Sequence, residues 1–315
     1  MSSRTIVVIG ATGLQGSGAV RALLASTSFA VRAVTSNPAG EKARALLERF
    51  PEKAQNGRLE LVQADLGDMA SLENALESAY GVFAAWSSRG DELAEGENLV
   101  NAAKAAGIAH LVYSSFPDVA RATKGRFHLE HLGAKAVIEE YAKQELQAVT
   151  TLMPGAFYSN LVSPMYTSRN AERTAIFHPP INPDVGVEWV DAAHDIGTFA
   201  AAVFARGPRS TANKSYPVAS APLSLPDLVA QYTARTGEAA LHVPRSPEEA
   251  VETLPLPEEK KRAIGEMYRW VNTATDPARR FYGLRSKEEV EAAQEEIGVR
   301  ASTFEEWMAR SGWRV

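Results

Sequence analysis

No cysteine occurs among the 315 residues, which excludes disulfides, thiolate nucleophiles and thiolate metal sites together. Any redox role then needs a bound cofactor. No Asp or Glu occurs among residues 1–40 either, although the whole chain carries a net charge of -5. Apolar runs of membrane-span length are missing, and the first strand-like segment begins by Thr5, so the expectation is a cytoplasmic chain without signal peptide or membrane association. Lysines and arginines form no cluster interleaved with aromatics. Direct nucleic-acid contact is therefore not expected. A P-loop pattern and a Ser-His-Asp spacing around a nucleophile elbow are absent too, which sets aside kinases and hydrolases. His128 and His131 stand one helical turn apart, but no third ligand cluster accompanies them, and no metal is expected.

What is present is concentrated at the start of the chain. The β-branched run Ile6–Ile9 leads into Gly10, Gly13 and Gly16, followed by the helix-like spacing of Ala19, Val20, Leu23 and Leu24. A tight turn, a close approach of backbone to phosphate and close helix–strand packing each exclude a Cβ, and the helix N-terminus offers free N–H donors. The turn predicts a site for a dinucleotide pyrophosphate. Strand patterns at 4–10, 29–35, 59–63, 80–85, 109–114 and 148–153 alternate with helix patterns at 15–27, 39–49, 71–78, 92–106 and 126–144, with Gly107 closing the fourth helix. That rhythm predicts an α/β fold, a doubly wound parallel sheet of Rossmann type with a smaller helix-rich C-terminal domain.

The predicted organisation is a dinucleotide-binding domain over 1–158, to which 187–220 returns, and a substrate or partner domain over 221–315 with the loop 159–186. Asp191 reads as the N-cap of a helix, Ser224 as another, and 287–296 as a solvated helix. The five tryptophans are scattered through the sequence and are expected in the core or between domains.

Cofactor choice turns on the end of the second strand, where NAD enzymes place an acid for the ribose 2′-OH. Here the sequence is Thr35-Ser36-Asn37-Pro38, with Arg4, Arg21 and Arg32 before it and Lys42 and Arg44 after it. A 2′-phosphate would meet no carboxylate there and several candidate cations, so NADP(H) is expected over NAD(H). Arg4 and Arg21 read better as ordinary surface residues.

Six segments resemble the NmrA-like family of atypical short-chain dehydrogenase/reductases: 10–16, 33–38, 112–118, 135–141, 154–160 and 303–307. The resemblance implies a Rossmann domain, a smaller C-terminal domain and NADP(H) in the cleft between them. Carried over by residue, it implies a pyrophosphate turn of Gly10, Thr12, Gly13, Leu14, Gln15 and Gly16, with Ser36 and Asn37 at the adenosine 2′ position. Many relatives carry arginine in place of Ser36. It further implies Asp65 and Leu66 beside adenine, Ala85, Trp86 and Ser87 beside pyrophosphate and ribose, and Lys135 on the nicotinamide ribose. Phe157, Tyr158 and Asn160 would form the nicotinamide wall, with Phe157, Tyr158 and Phe116 facing substrate. Phe157 reads equally as a core residue.

Ordinary carbonyl-reducing members of the wider superfamily carry Tyr-x-x-x-Lys. This chain has His131-Leu-Gly-Ala-Lys135. The spacing still stacks positions 131 and 135 on one helical face. A neighbouring ammonium would hold an imidazole neutral, leaving it a poor general acid but able to donate an N–H bond. Ser114, at the end of the fifth strand, is placed to polarise a carbonyl or to satisfy local backbone. The resemblance thus implies a catalytic group of Lys135, His131 and Ser114, while related redox sensors share the lysine without dehydrogenase activity. Two functions remain open: an NADPH-dependent reductase of a small apolar carbonyl or imine, and a non-catalytic NADPH/NADP⁺ sensor that docks a regulatory partner protein. An apolar pocket beside the cofactor favours the first. A cleft filled by side chains favours the second.

Overall fold

The apolar runs form β1 (Thr5–Ile9), β2 (Ala30–Thr35), β3 (Leu59–Gln63), β4 (Gly81–Ala84), β5 (His110–Ser114) and β6 (Val149–Pro154) in the computed structural model. Residues 4–88, 90–276 and 278–315 are described, without the side chains at 130 and 131. With Ser215–Val218 as a seventh strand, the sheet runs in the order seventh, β6, β5, β4, β1, β2, β3, and every pairing is parallel. From β1 the chain winds outward through β2 and β3, then returns to β4 on the other side. The strand order reverses between β1 and β4, which opens a crevice at their carboxyl ends.

Buried strands need cover on both faces. On one face lie the Leu14–Ser26 and Asp195–Arg206 helices, which bury Val20, Leu23, Phe199 and Val203 against Ile6 and Val8. On the other, Leu72, Leu99, Val100 and Ile138 from three helices pack on Val7, Ile9 and Val82. The Leu14–Ser26 and Asp195–Arg206 helices meet at two glycines: a Cβ on Gly18 would lie 2.4 Å from the Ala193 carbonyl oxygen, and one on Gly197 would lie 2.2 Å from that of Gly18. A third cluster, rich in aromatics, joins Tyr158, Trp189, Phe177, Tyr232, Trp270 and Phe304.

Several expectations shift. The segment 158–187 is not an open loop: it holds a 3₁₀ helix at Tyr158–Val162 and strands at Thr167–Arg169 and Ala175–Phe177, the latter pairing with Ala240–His242. Val187–Val190 is a strand between Ala156–Phe157 and Pro222–Leu223, outside the main sheet. Asp191 therefore ends a strand and caps nothing. Its carboxylate takes the Arg310 Nε at 2.9 Å, and the helix begins four residues later. Ser224 does cap its helix, in a reciprocal capping box with Asp227. The 126–144 helix starts later, at Glu130, after the short Val119–Ala122 turn. Ile297, from the Lys287–Ile297 helix, packs into the first sheet layer, so residues beyond 221 cover the sheet as well as building the aromatic cluster. Among the described residues no helix is long and apolar enough to cross a membrane.

Candidate functional site

The glycine turn lies at the mouth of the crevice. Gly10 adopts φ +70°, and a Cβ there would lie 2.0 Å from the Ala85 carbonyl oxygen. Gly13 donates its N–H to the Gly10 carbonyl at 2.8 Å and then begins the Leu14–Ser26 helix with no side-chain cap. The first-turn N–H groups are left to a ligand. Gly16 serves packing rather than the cleft, since a Cβ there would lie 2.1 Å from the Gly10 oxygen.

A cleft of about 570 Å³ runs across the carboxyl ends of β1, β2, β3 and β4. Gly10, Thr12, Gly13, Leu14, Gln15, Ser36, Asp65, Leu66, Ala85, Trp86, Ser87 and Phe157 line it, with Lys42, one of the five candidate cations; so do Ser88 and Glu95, which sequence reasoning did not place there. Leu14 is 43% exposed at its rim. Asp65 is committed to its own turn, where Oδ1 accepts the Gly67 N–H at 2.8 Å, and Glu95 accepts the Trp86 indole N–H at 2.9 Å. Asn37 does not reach the cleft wall: it is exposed and its carbonyl takes the Gly40 N–H at 3.1 Å.

The cations expected around a 2′-phosphate are mostly engaged elsewhere. Arg4 lies over the Tyr80 ring at 4.2 Å, Arg21 donates to the Ala193 carbonyl at 2.7 Å, and Arg32 pairs with Glu60 at 2.6 Å. Lys42 lines the cleft, and no ion pair is seen for it among the described residues.

A second cavity of about 310 Å³ adjoins the first, sharing Gln15 and Phe157 as a common wall. Its lining combines Phe116, Leu132, Ile181, Val187, Trp189, Met267, Trp270 and Val271 with Ser114, Lys135, Asn160, Tyr166, Tyr268 and Tyr282. Asn160 thus belongs to this cavity and not to the cofactor cleft. Tyr158, expected to face substrate, is 0% exposed: its ring stacks between Trp189 and Trp307, away from the lining, and burial holds its phenol well above the ordinary range. A 3₁₀ turn at 158–162 explains this placement, since it turns successive side chains to different sides.

Lys135 lines the second cavity and not the cofactor cleft. Its ammonium pairs with Glu92 at 2.5 Å and lies 5.7 Å from the centre of the Trp86 ring. Glu92 has no motif of its own in the sequence. The nearest sequence cue is Asp91, which caps its helix by accepting from Leu93 and Ala94 N–H groups. Ser114 donates to the Gln15 Oε1 at 2.6 Å, so its proton is held by the turn residue rather than offered to the cavity. His131 lies within the Glu130–Glu145 helix, and its side chain is outside the described residues. Among the described residues the buried Tyr113 hydroxyl has no hydrogen-bond partner, and burial, with Glu92 and Glu139 nearby, raises its pKa. Among the described residues no group of three or more His, Asp or Glu side chains is placed to hold a metal.

A parallel sheet reversing its order at β1, with an uncapped helix and a glycine turn at the reversal, defines a Rossmann-type protein. The chain belongs to the NmrA-like family, whose model matches residues 2–308. The NmrA-like family domain-containing oxidoreductase himF of Aspergillus japonicus is 30% identical over 277 residues, covering 80% of this chain and 79% of himF. Among solved structures, NmrA, a negative transcriptional regulator, in complex with NADP superposes with TM-score 0.81 at 24% identity over 98% of this chain and 95% of that one. The same regulator has been solved with NAD, at TM-score 0.81 and 24% identity over the same shares. At these identities the structural likeness speaks for the fold.

Proposed function

We propose that the chain is an NADP(H)-dependent reductase of a small, flat, apolar carbonyl compound or imine. The carrying observation is the apolar cavity that shares Gln15 and Phe157 with the cleft. A protein that only senses cofactor has no use for an open aromatic pocket beside it, and filling of that pocket by side chains is what the regulatory alternative requires.

The cleft fits a dinucleotide on its own terms. Gly10 lets the turn press against Ala85, Gly13 leaves the helix start bare, and the free N–H groups match an anionic pyrophosphate. Lys42 and Ser36 both line the cleft, and they offer a cation and a hydroxyl to a 2′-phosphate. The relatives' names and ligands agree with this reading without deciding between NAD and NADP. When bound, a reduced nicotinamide supplies hydride. Lys135, held over Trp86 by Glu92, is placed to bind ribose hydroxyls, and Phe157 presses on both compartments. Phe116, Trp189 and Trp270 give the second cavity apolar walls, against which a polar contact made inside it counts for more.

The test is an NADPH-oxidation screen over ketones, enones and cyclic imines, run beside fluorescence titrations of NADPH and NADH. The wild-type protein should turn over at least one apolar carbonyl or imine. Lys42→Ala should weaken NADPH about two- to fivefold, the worth of one exposed charge pair, while leaving NADH unchanged. Tight NADPH binding with no turnover overturns the reductase reading, and equal NADH binding by the wild type overturns the choice of cofactor.

A further inference from the structure

Besides its polar cofactor side, with Ser114 and Lys135, the second cavity carries three phenols, Tyr166, Tyr268 and Tyr282, with Asn160. The Tyr166 and Tyr268 hydroxyls meet in a short hydrogen bond. Both tyrosines are nearly buried, at 8% and 2% exposure. A phenol has one proton to give and two lone pairs to fill. Either phenol can donate in that bond, and the one that accepts keeps its own proton for whatever occupies the cavity. Tyr166 is the more exposed of the two and suits the accepting role.

We propose that Tyr166 is the proton donor of this site, in place of the tyrosine that position 131 lacks. The proposal rests on the reductase reading and narrows its substrates to uncharged aromatic compounds with one acceptor atom, ketones before preformed iminium ions. As the carbonyl carbon takes hydride from a reduced nicotinamide, which is oxidised, the carbonyl oxygen takes the Tyr166 proton and becomes a hydroxyl. The phenolate left behind accepts from Tyr268 and recovers a proton from water when product leaves. Burial raises both phenols, so both are protonated at neutral pH, and donation by Tyr268 favours the ionised form of Tyr166. Tyr268 is thus a positioning residue and Tyr166 the acid.

Two readouts test this. In the first, without cofactor, quenching of tryptophan fluorescence follows binding of acetonaphthone and of ethylnaphthalene, which has the same shape without the carbonyl. Wild type should prefer the ketone about tenfold, the worth of one hydrogen bond to a buried acceptor. Tyr166→Phe should erase that preference and keep the affinity for the hydrocarbon. In the second, Tyr166→Phe should slow reduction of aryl ketones by at least about 100-fold yet leave N-methyl dihydroisoquinolinium, which needs no proton, within about threefold of wild type. Tyr268→Phe should fall between, with NADPH affinity unchanged in both variants. A ketone preference that survives in Tyr166→Phe, or equal loss of both reactions, overturns the assignment. Wild type that prefers the ketone but reduces nothing with NADPH bound overturns the reductase reading, and leaves Tyr166 as a binding hydroxyl and not an acid.

Discussion

Gly10 and Gly13 occupy the same turn for different reasons, and replacing each by alanine should separate stability from cofactor binding. At Gly10 the added Cβ lies 2.0 Å from a backbone carbonyl oxygen. An ordinary carbon–oxygen contact is about 3.3 Å, so β1 and the end of β4 must part by more than about 1 Å. The left-handed φ of +70° adds about 1–2 kcal/mol for any residue with a Cβ. With overpacking at about 1–3 kcal/mol, Gly10→Ala should lose about 2–5 kcal/mol. Gly13 differs in both respects: φ is -83° with ψ 174°, open to any residue, and its Cβ would meet only the Gly10 oxygen at 3.2 Å. Gly13→Ala should therefore cost under about 1 kcal/mol. Its methyl group, however, stands before the bare helix end where phosphate must approach, and loss of one or two charge-assisted bonds weakens NADPH about 10- to 100-fold. Urea unfolding followed by tryptophan fluorescence gives the first quantity, and NADPH titration the second. Gly13→Ala as unstable as Gly10→Ala, or binding NADPH like wild type, would refute the reasoning.

Two further outcomes follow from buried charge. His110 is fully buried with Nε2 2.8 Å from Thr150 Oγ1, and burial pushes its pKa down to about 4. Between about pH 6.5 and 4 the unfolded chain takes up a proton that the folded protein refuses, so stability falls as pH drops through that window by about 3 kcal/mol. His110→Gln should flatten that slope in pH-dependent urea midpoints, and an unchanged slope removes His110 as its source. Arg280 pairs with Glu188 at 2.5 Å in the interior, where burial raises the Glu188 carboxyl against the pull of Arg280. Arg280→Met should cost about 3 kcal/mol by leaving that carboxyl unpaired, and adding Glu188→Gln should restore much of it. Chemical denaturation of both variants checks the pair, and additive losses would deny the coupling.

Local rules made the sheet legible. Six strands announce themselves as β-branched or leucine-rich runs, and the glycine turn needs only Gly10, Gly13 and Gly16 to be read, because Gly10 and Gly16 exclude a Cβ against backbone and Gly13 keeps the helix end open to phosphate. The wall of the cleft follows from that turn and from the ends of β2, β3 and β4. Lys42 was visible as one cation among five, yet the reason it stands apart is that Arg4, Arg21 and Arg32 find partners on distant segments. The second cavity was much less legible. Tyr166 and Tyr268 are 102 positions apart, and Tyr268 and Trp270 sit in a helix whose apolar pattern reads equally well as core. Asp191 misled for a similar reason: an acid before a helix satisfies the N-cap pattern, but Arg310, far along the chain, decides where its carboxylate points. Tyr158 and Asn160 lie two residues apart, and a single 3₁₀ turn sends one into the aromatic core and the other to the cavity.

The common wall of the two cavities carries a consequence for how such a protein can diversify. The cleft is built from residues 9–15, 34–42, 64–72 and 85–95 with Phe157, and the cavity from 114–135, 154–189 and 267–282 with Gln15. Gln15 and Phe157 are the shared positions. Nearly every side chain that would recognise one occupant is therefore free to vary without altering a side chain that recognises the other. Exchange of the 267–282 segment, which supplies Met267, Tyr268, Trp270, Val271 and Tyr282, offers a route to new specificity that leaves the nucleotide half of the molecule untouched.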